Sequence, residues 1–204
     1  MNELDHDVVG YCQLHELDVA LAIASGEFPT LLRFHNGIYC ALRISGTGVA
    51  WREAHQEFVY RDPQVWLSNE MRRRCLGLPV VIEHPEADLV DTRFCADRLV
   101  GWVVNAFVRD TELWGVARII DPLAAEMIAG GVFDTSPGVM LGQGSATVDI
   151  EGTMMIVEAA PQLLDHVALV YTLFGNRGVW TRSGASGAPS VEDNIEPTET
   201  EKEI

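Results

Sequence analysis

The stretch Leu78-Pro-Val-Val-Ile-Glu-His-Pro85 is the segment from which the fold can be worked outward. Its apolar, β-branched run from Leu78 to Ile82 is short, which is typical of a buried strand. Pro85 cannot donate a hydrogen bond to a sheet, and it biases His84 towards an extended backbone. The strand therefore ends with an imidazole at its rim, where rigid scaffolds commonly present functional side chains. Because most lone histidines are surface or satisfied core residues, this one depends on partners elsewhere in the chain.

The composition disfavours several classes of function. The chain has 204 residues, of which 48% are hydrophobic, enough for one domain with a sizeable core. Its net charge of −16 disfavours nonspecific binding to nucleic acid or to anionic membranes, which requires basic patches. No apolar run approaches the roughly 18 residues of a membrane span. The acidic first residues lack the basic region of a secretory signal, so a cytoplasmic protein is expected.

The cysteines and histidines do not predict a metal site. The four cysteines are widely spaced and include no C-x-x-C pair, so we expect reduced, buried thiols. The six histidines form none of the usual metal-binding spacings, and no glycine-rich nucleotide-binding motif is present. We expect neither a metal nor a cofactor.

Strand signals outnumber helix signals along the chain. Asn36-Gly37 between two apolar runs predicts a hairpin. Further strands are predicted at 78–82, 100–108, 113–120, 132–141, 146–150, 154–158 and 163–171. Apolar periodicity, Asp-Pro starts and glycine ends predict three helices, at 14–24, 62–77 and 122–129. The interpretation is a mainly β protein with inserted helices (α+β), folded as a closed or nearly closed antiparallel β-barrel surrounded by helices.

The composition changes near Ser183. Small, flexible residues from Gly184 to Ser190 are followed by a segment from Val191 to Ile204 that is rich in Glu and Thr. We therefore divide the chain into an N-terminal helical extension (1–29), a folded domain (30–182) and a flexible acidic tail (183–204).

Two further segments carry candidate functional side chains. In Thr135-Ser-Pro-Gly138, a serine lies where the backbone is constrained, and Gly138 would let a substrate carbonyl approach. The alternative is a polar bend at a strand end. In the apolar run 163–170, Asp165 and His166 are adjacent, and strand alternation predicts that their side chains point to opposite faces. One of them should therefore be buried and need a hydrogen-bond partner. The alternative is a core histidine whose hydrogen bonds are satisfied and which has no function.

These residues supply the parts of an acyl-transfer site. Such chemistry needs a hydroxyl nucleophile, a base that removes its proton, and a third group that orients the base. Ser136, His84 and either His166 or Asp165 provide these groups, and their distance in sequence is no objection because such sites are assembled in space.

Six segments taken in order carry a family resemblance: Phe34-His-Asn-Gly-Ile-Tyr39, Ile44-Ser-Gly-Thr-Gly48, Tyr60-Arg-Asp-Pro63, Gly77-Leu-Pro-Val-Val-Ile-Glu-His-Pro85, Asp134-Thr-Ser-Pro-Gly138 and Asp165-His-Val-Ala-Leu-Val170. The chain resembles the tailed-phage prohead proteases, the capsid maturation proteases related to herpesvirus assemblin. More narrowly, it is similar to an uncharacterised phage and prophage branch of that group. The resemblance covers about residues 30–182 and implies a β-barrel of about seven strands wrapped by helices.

The resemblance also implies roles for individual residues. Ser136 would be the nucleophile and His84 the general base. His166 would orient and stabilise the charged imidazole, with Asp165 as the alternative third member. Arg177 and Gly138 would support the oxyanion.

The function implied is that of a serine endopeptidase that cleaves capsid and scaffold proteins inside the immature phage shell, in the host cytoplasm. The major capsid protein and the scaffold protein are the expected partners, and a homodimer or a higher oligomer is compatible with the resemblance. The alternative is a structural or assembly protein of the capsid with the same fold and little activity. Pro137 motivates it, since it stands where many prohead proteases have a small or aliphatic residue and removes one N–H. Another cytoplasmic hydrolase built on the same barrel is a third interpretation.

Overall fold

The structure is a computed structural model that describes residues 15–34, 36–52, 56–86, 89–150 and 152–171. Five helices lie within these ranges: α1 (Glu16–Ser25), α2 (Pro63–Trp66), α3 (Asn69–Arg74), α4 (Thr92–Arg98) and α5 (Pro122–Ala129). Eleven strands accompany them: β1 (Leu32–Phe34), β2 (Gly37–Gly46), β3 (Gly48–Arg52), β4 (Glu57–Arg61), β5 (Pro79–Ile82), β6 (Leu99–Arg109), β7 (Glu112–Ile119), β8 (Phe133–Leu141), β9 (Ala146–Ile150), β10 (Thr153–Val157) and β11 (Pro161–Tyr171).

The strands form two mixed sheets. The larger has seven strands in the order β1-β2-β7-β6-β5-β11-β8, and the smaller has four in the order β3-β4-β10-β9. In the larger sheet β11 pairs parallel with β5 and antiparallel with β8. In the smaller sheet β10 pairs parallel with β4. Strand β11 therefore lies between the strand that precedes His84 and the strand that contains Ser136.

The mainly β class with inserted helices is confirmed, but the antiparallel barrel is not. Both sheets contain a parallel pair, and the hydrogen-bonded strand order of neither sheet closes on itself. Parallel pairing requires a long crossover, and residues 83–160 provide one between β5 and β11. The edge strand β8 lies against β2, where the hydroxyl of Thr135 donates to the carbonyl of Arg43. A side-chain hydrogen bond therefore joins β8 to β2 at the place where a closed barrel would have backbone hydrogen bonds between paired strands.

The hydrophobic core is divided between the two faces of the larger sheet. Strand β2 is buried along almost its whole length because it contributes to both sides. Leu42 and Ile44 belong to the main core, together with Trp66 and Ile128 from the helices. On the opposite face, α1 packs Val19 and Ile23 against Tyr39 and Ala41. Burying a side chain of this size contributes about 1.5–3 kcal/mol to folding, so the sheet is a rigid frame for its rim.

The helix starts follow the predicted capping residues. The carboxylate of Asp62 accepts the N–H of Gln64 at 2.8 Å, and that of Asp121 accepts the N–H of Ala124 at 2.7 Å. The predicted helix 62–77 is, however, split into α2 and α3, because Ser68 forms a new cap by accepting the N–H of Met71.

Residues 92–98 form helix α4, which is not among the three predicted helices. Asp91 caps this helix by accepting the N–H groups of Arg93 and Phe94. No residue of α4 is buried. The helix therefore has no apolar period that could have revealed it.

The other predicted elements can be compared directly. Phe34 pairs with Gly37 in an antiparallel hairpin of β1 and β2, which confirms the Asn36-Gly37 prediction. Helix α1 begins at Glu16, and Leu14 lies outside the described residues. Residues 1–14 of the N-terminal extension and the whole acidic tail also lie outside them. No helix in the described part of the chain is long and apolar enough to cross a membrane.

A buried ion pair in the smaller sheet is hydrogen-bonded to the larger sheet. Nε of Arg61 on β4 lies 2.5 Å from Oε2 of Glu158, and the two side chains are 5% and 0% exposed. The same guanidinium donates to the hydroxyl of Ser45 on β2 at 2.8 Å and lies over the ring of Trp66. Buried charges persist only when they are paired, and Glu158 pairs the guanidinium inside the smaller sheet. The bond from Arg61 to Ser45 then ties the smaller sheet to the larger one.

Candidate active site

His84 and His166 are brought together at the rim of the larger sheet. Strand β5 ends at Ile82, and the chain turns at Glu83, whose φ is 59°. Nδ1 of His84 then lies 2.8 Å from Nε2 of His166. The two rings meet edge to face, with their centroids 5.1 Å apart. The histidine predicted at the end of the opening strand therefore has a histidine partner, as the triad hypothesis requires.

A β-bulge places Asp165 and His166 in contact. The register of β11 against β8 shifts between Leu164, which faces Val139, and His166, which faces Gly138. Asp165 is the extra residue of this bulge, and a bulge re-aims the side chains beside it. Its Oδ2 lies 2.8 Å from Nδ1 of His166. The prediction that the two side chains point to opposite faces is therefore wrong, because it assumed unbroken strand alternation.

The hydrogen bonds assign a direction to the chain Asp165–His166–His84. An ionised carboxylate can only accept, so Nδ1 of His166 carries a proton and donates it to Asp165. The backbone N–H of Val90 donates to the same Oδ2 at 2.8 Å and holds the carboxylate in place. With the Nδ1 proton of His166 on this bond, Nε2 of a singly protonated His166 ring is an acceptor for the Nδ1–H of His84. Nε2 of His84 is left with a free lone pair, which is what a general base needs.

The surroundings keep His84 neutral. Burial of the ring is the larger cause, and the nearby His166 the second, of a lowering of the His84 pKa from 6.5 to about 4. A positive charge on one imidazole opposes a positive charge on the other. Burial and the neighbouring His166 therefore both lower the pKa of His84. The residue also retains an exposed surface, which lets water reduce the effect. The direction of the shift alone makes His84 neutral near pH 7.

Gly138 is required by the ring of His166. The two residues are directly opposite in the β8–β11 ladder. A Cβ at position 138 would lie 2.1 Å from Cε1 and 2.3 Å from Nδ1 of His166. From the sequence, Gly138 was expected to leave space for a substrate carbonyl to approach. The structure fills that space with the imidazole and gives the glycine a packing role.

Ser136 lies on the same face of β8 as Gly138, two residues away. It is opposite Ala168, and it is partly exposed. Since a strand rises roughly 3.3 Å per residue, its Cα is about 7 Å along the strand from the point where His166 packs. Among the described residues no hydrogen bond joins Ser136 to His84.

One predicted site residue is not described by the structure, and two contributing groups were not predicted. Arg177 lies outside the described residues, as does the linker at 184–190. Two groups were missed by the sequence reasoning: Glu83, which makes the turn before His84, and the N–H of Val90, which binds Asp165. Neither leaves a local sequence signal, because both depend on contacts with a strand about eighty residues away.

Two buried cysteines are unsuited to nucleophilic chemistry. Burial raises the pKa of Cys40 and of Cys75 to about 12, so both remain neutral thiols. Across the described segments, no group of three or more His, Cys, Asp or Glu side chains is placed to hold a metal ion.

Comparisons with known proteins found similarity only among solved structures. No protein-family model and no curated protein matches the chain. A Kaposi's sarcoma-associated herpesvirus protease in complex with an allosteric inhibitor is 14% identical, with 72% of this chain and 74% of that chain covered and a TM-score of 0.41. The bacteriophage T4 capsid assembly protease is 17% identical, with 66% and 82% covered and a TM-score of 0.39. At this level of identity and superposition, the likeness assigns neither a family nor an activity.

Proposed function

We propose that the chain is a serine endopeptidase in which Ser136 is the nucleophile and His84 the general base. The observation that carries this proposal is the hydrogen-bonded chain from Asp165 through His166 to His84. It orients one imidazole and leaves its outer nitrogen free, on the side of the sheet where Ser136 is partly exposed. The substrate class, capsid and scaffold proteins of a phage prohead, comes from the resemblance of the sequence segments quoted above.

Acylation would use these groups in a fixed order. Nε2 of His84 takes the proton of Ser136 Oγ as the oxygen attacks the scissile carbonyl carbon. The imidazolium formed keeps its Nδ1–H on His166, and the carboxylate of Asp165 compensates the new charge through the ring of His166. His84 then gives the proton to the leaving amine as the C–N bond breaks. A water molecule, deprotonated by His84, releases the acyl group and restores Ser136.

His166 and Asp165 have separate roles in this scheme. His166 is the group that touches and orients the base. Asp165 acts behind it, where it selects the tautomer of His166 and supplies the negative charge that two histidines alone would lack. The sequence left His166 and Asp165 as alternatives for the third position. We propose instead that they act in series.

The oxyanion would be stabilised by Arg177 and by backbone N–H groups near Gly138. Pro137 removes one N–H donor from this part of β8. The cation at position 177 therefore matters more than it would with a full set of backbone donors.

Self-cleavage in the linker 184–190, which is rich in small residues, also belongs to this proposal. Prolonged incubation should then reduce the intact mass by the part of the chain that follows the cleavage site. A chain that stays full-length in an active preparation would contradict self-cleavage.

The test is covalent labelling with a fluorophosphonate, followed by intact-mass measurement. Wild-type chain should gain one label, and Ser136→Ala should gain none. Ser145→Ala is the matched control, because Ser145 is exposed and outside the site, and it should be labelled like wild type. Co-expression with the neighbouring capsid protein then tests the substrate class. Identical, unprocessed capsid protein with wild type and Ser136→Ala would overturn the endopeptidase proposal.

A structural or assembly protein of the capsid is the second candidate. Two observations favour it: Pro137 lies beside the proposed nucleophile, and no hydrogen bond among the described residues joins Ser136 to His84. It requires capsid assembly to depend on the chain while Ser136→Ala assembles normally. On either account we place the protein inside the phage prohead, with self-association as a homodimer or a higher oligomer.

A further inference from the structure

Glu83 has an unusual backbone conformation at the turn before His84. Its φ of 59° lies in the left-handed region, which residues with long side chains adopt rarely. Among the described residues, Leu31, Gln56 and Asp110 share this feature. Leu31 precedes the edge strand β1, and Gln56 and Asp110 lie beside hairpin strands where such turns are common. Glu83 follows a buried parallel strand instead. Backbone strain that the surrounding structure maintains is concentrated at functional sites.

Two hydrogen bonds to β11 hold Glu83 in this conformation. Its N–H donates to the carbonyl of Leu169 at 3.0 Å, which extends the β5–β11 ladder by one bond. Its Oε1 accepts the N–H of Tyr171 at 3.2 Å. The residue is thus attached to β11 by both backbone and side chain, on the same strand that carries His166.

This attachment explains how the ring of His84 reaches His166. Ile82 pairs with Leu169, which is three residues beyond His166 along β11. A straight continuation of β5 would carry residue 84 about 7 Å further away from His166, since each residue advances roughly 3.3 Å. The left-handed turn at Glu83 redirects the chain, so that Nδ1 of His84 comes back to 2.8 Å from Nε2 of His166.

We propose that Glu83 is a positioning residue, whose left-handed turn and side-chain bond to Tyr171 hold the imidazole of His84 on His166. The inference deepens the proposed function and rests on it for its catalytic meaning. The contact between the two histidines can be measured without any activity. A purely structural role, closing the end of β11, would change stability but not the state of His84.

The experiment compares four full-length variants by two readouts. Histidine imidazole NMR reports the tautomer and the pKa of His84, and fluorophosphonate labelling reports the reactivity of Ser136. Glu83→Gln keeps an oxygen acceptor at the same reach, so it should match wild type within about twofold in labelling rate. Glu83→Ala removes the acceptor. Glu83→Asn also does so by being shorter, while it tolerates the left-handed backbone and so protects the fold. Glu86→Gln is the control, an exposed glutamate in the same loop.

In Glu83→Ala and Glu83→Asn, the pKa of His84 should move from about 4 towards its ordinary value of 6.5. The labelling rate should fall roughly 10- to 100-fold, the effect of misplacing a general base. A wild-type titration of His84 in Glu83→Asn would overturn the inference, as would a loss in Glu83→Gln equal to that in Glu83→Ala.

The two proposals can fail separately. If wild type is never labelled but His84 shifts in Glu83→Asn, Glu83 still positions His84 and the endopeptidase proposal fails. If wild type is labelled and Glu83→Asn behaves identically in both readouts, Ser136 remains the nucleophile and the inference about Glu83 fails.

Discussion

The ring of His166 occupies the space that a side chain on Gly138 would need, with only 2.1 Å between Cε1 and an added Cβ. This contact ties the strand that carries Ser136 to the imidazole that orients His84. Both strands contribute to the core through their other faces, where Phe133 and Val167 are buried, so neither can move away freely.

Gly138→Ala should therefore displace His166 and uncouple the proposed base. Overpacking of a buried contact typically costs about 1–3 kcal/mol, so we expect a loss of stability of that size in urea unfolding. Labelling of Ser136 should fall further than the fraction of unfolded chain explains. Gly130→Ala is the matched control, since an added Cβ there meets its nearest atom at an ordinary 3.4 Å. Equal labelling of both variants would contradict the assigned contact.

Asp165→Asn should keep the shape of the site but remove the charge that compensates His84. The labelling rate should fall at least about 10-fold, because the imidazolium formed during acylation loses its counter-charge through His166. Asp110→Asn makes the same chemical change in a turn whose backbone asparagine tolerates well, and it should have no effect. If Asp165→Asn labels like wild type, the chain acts with two histidines alone.

The pH dependence of labelling should reflect the lowered pKa of His84. Because the base must be neutral, the rate should rise through an apparent pKa near 4 and stay level to pH 7. A rate that rises only around pH 6.5 would show that His84 is not held by burial and by His166.

Folding stability should depend on pH in the same range. The folded-state pKa of His84 lies below its unfolded value of 6.5, so the unfolded chain binds the proton more tightly. Stability attributable to His84 should be complete above pH 6.5 and decrease as the pH falls from 6.5 towards 4. Urea unfolding of wild type and His84→Gln across this range measures the effect: the stability of wild type relative to the variant should fall below pH 6.5 and stay constant above it.

The buried pair of Arg61 and Glu158 should be far more important for stability than its surface counterparts. Glu158→Ala leaves the guanidinium buried without its charge partner, which typically costs about 3–5 kcal/mol. Glu70→Ala removes the partner of exposed Arg73 and Arg74, and it should cost less than about 1 kcal/mol. Thermal or urea unfolding of the two variants provides the comparison, and similar losses would show that the buried pair is not desolvated.

Local sequence signals predicted the elements well but not how they associate. Asp62 and Asp121 start helices because capping depends on atoms two or three residues away. The β5 strand and its terminal His84 were also predicted from a short apolar run followed by proline. The parallel pairing of β5 with β11 was not, since it depends on a crossover of nearly eighty residues. The strand signals predicted a barrel and the resemblance its number of strands, whereas the observed seven-stranded sheet does not close through its hydrogen-bonded strand order.

The sequence identified the residues of the candidate site but not the order in which they are hydrogen-bonded. The chemistry of His84, His166 and Asp165 marked them as partners, whereas their sequence as a hydrogen-bonded chain follows from the bulge at Asp165. A bulge inserts one residue into a ladder without changing the apolar pattern enough to be recognised. The turn at Glu83 is hidden for a similar reason, because left-handed backbone at a glutamate is imposed by tertiary contacts.

The position of β11 between β5 and β8 determines when His84 and His166 can meet during synthesis. His84 and His166 are 82 residues apart, and β5 and β8 are joined in the sheet only through β11. Contacts between such distant residues are slow to form, because a long loop must close before they stabilise anything. A nascent chain that has exposed His84 and Ser136 but not yet β11 lacks the histidine pair. The contact between His84 and His166 therefore forms only when β11, the last described strand, inserts.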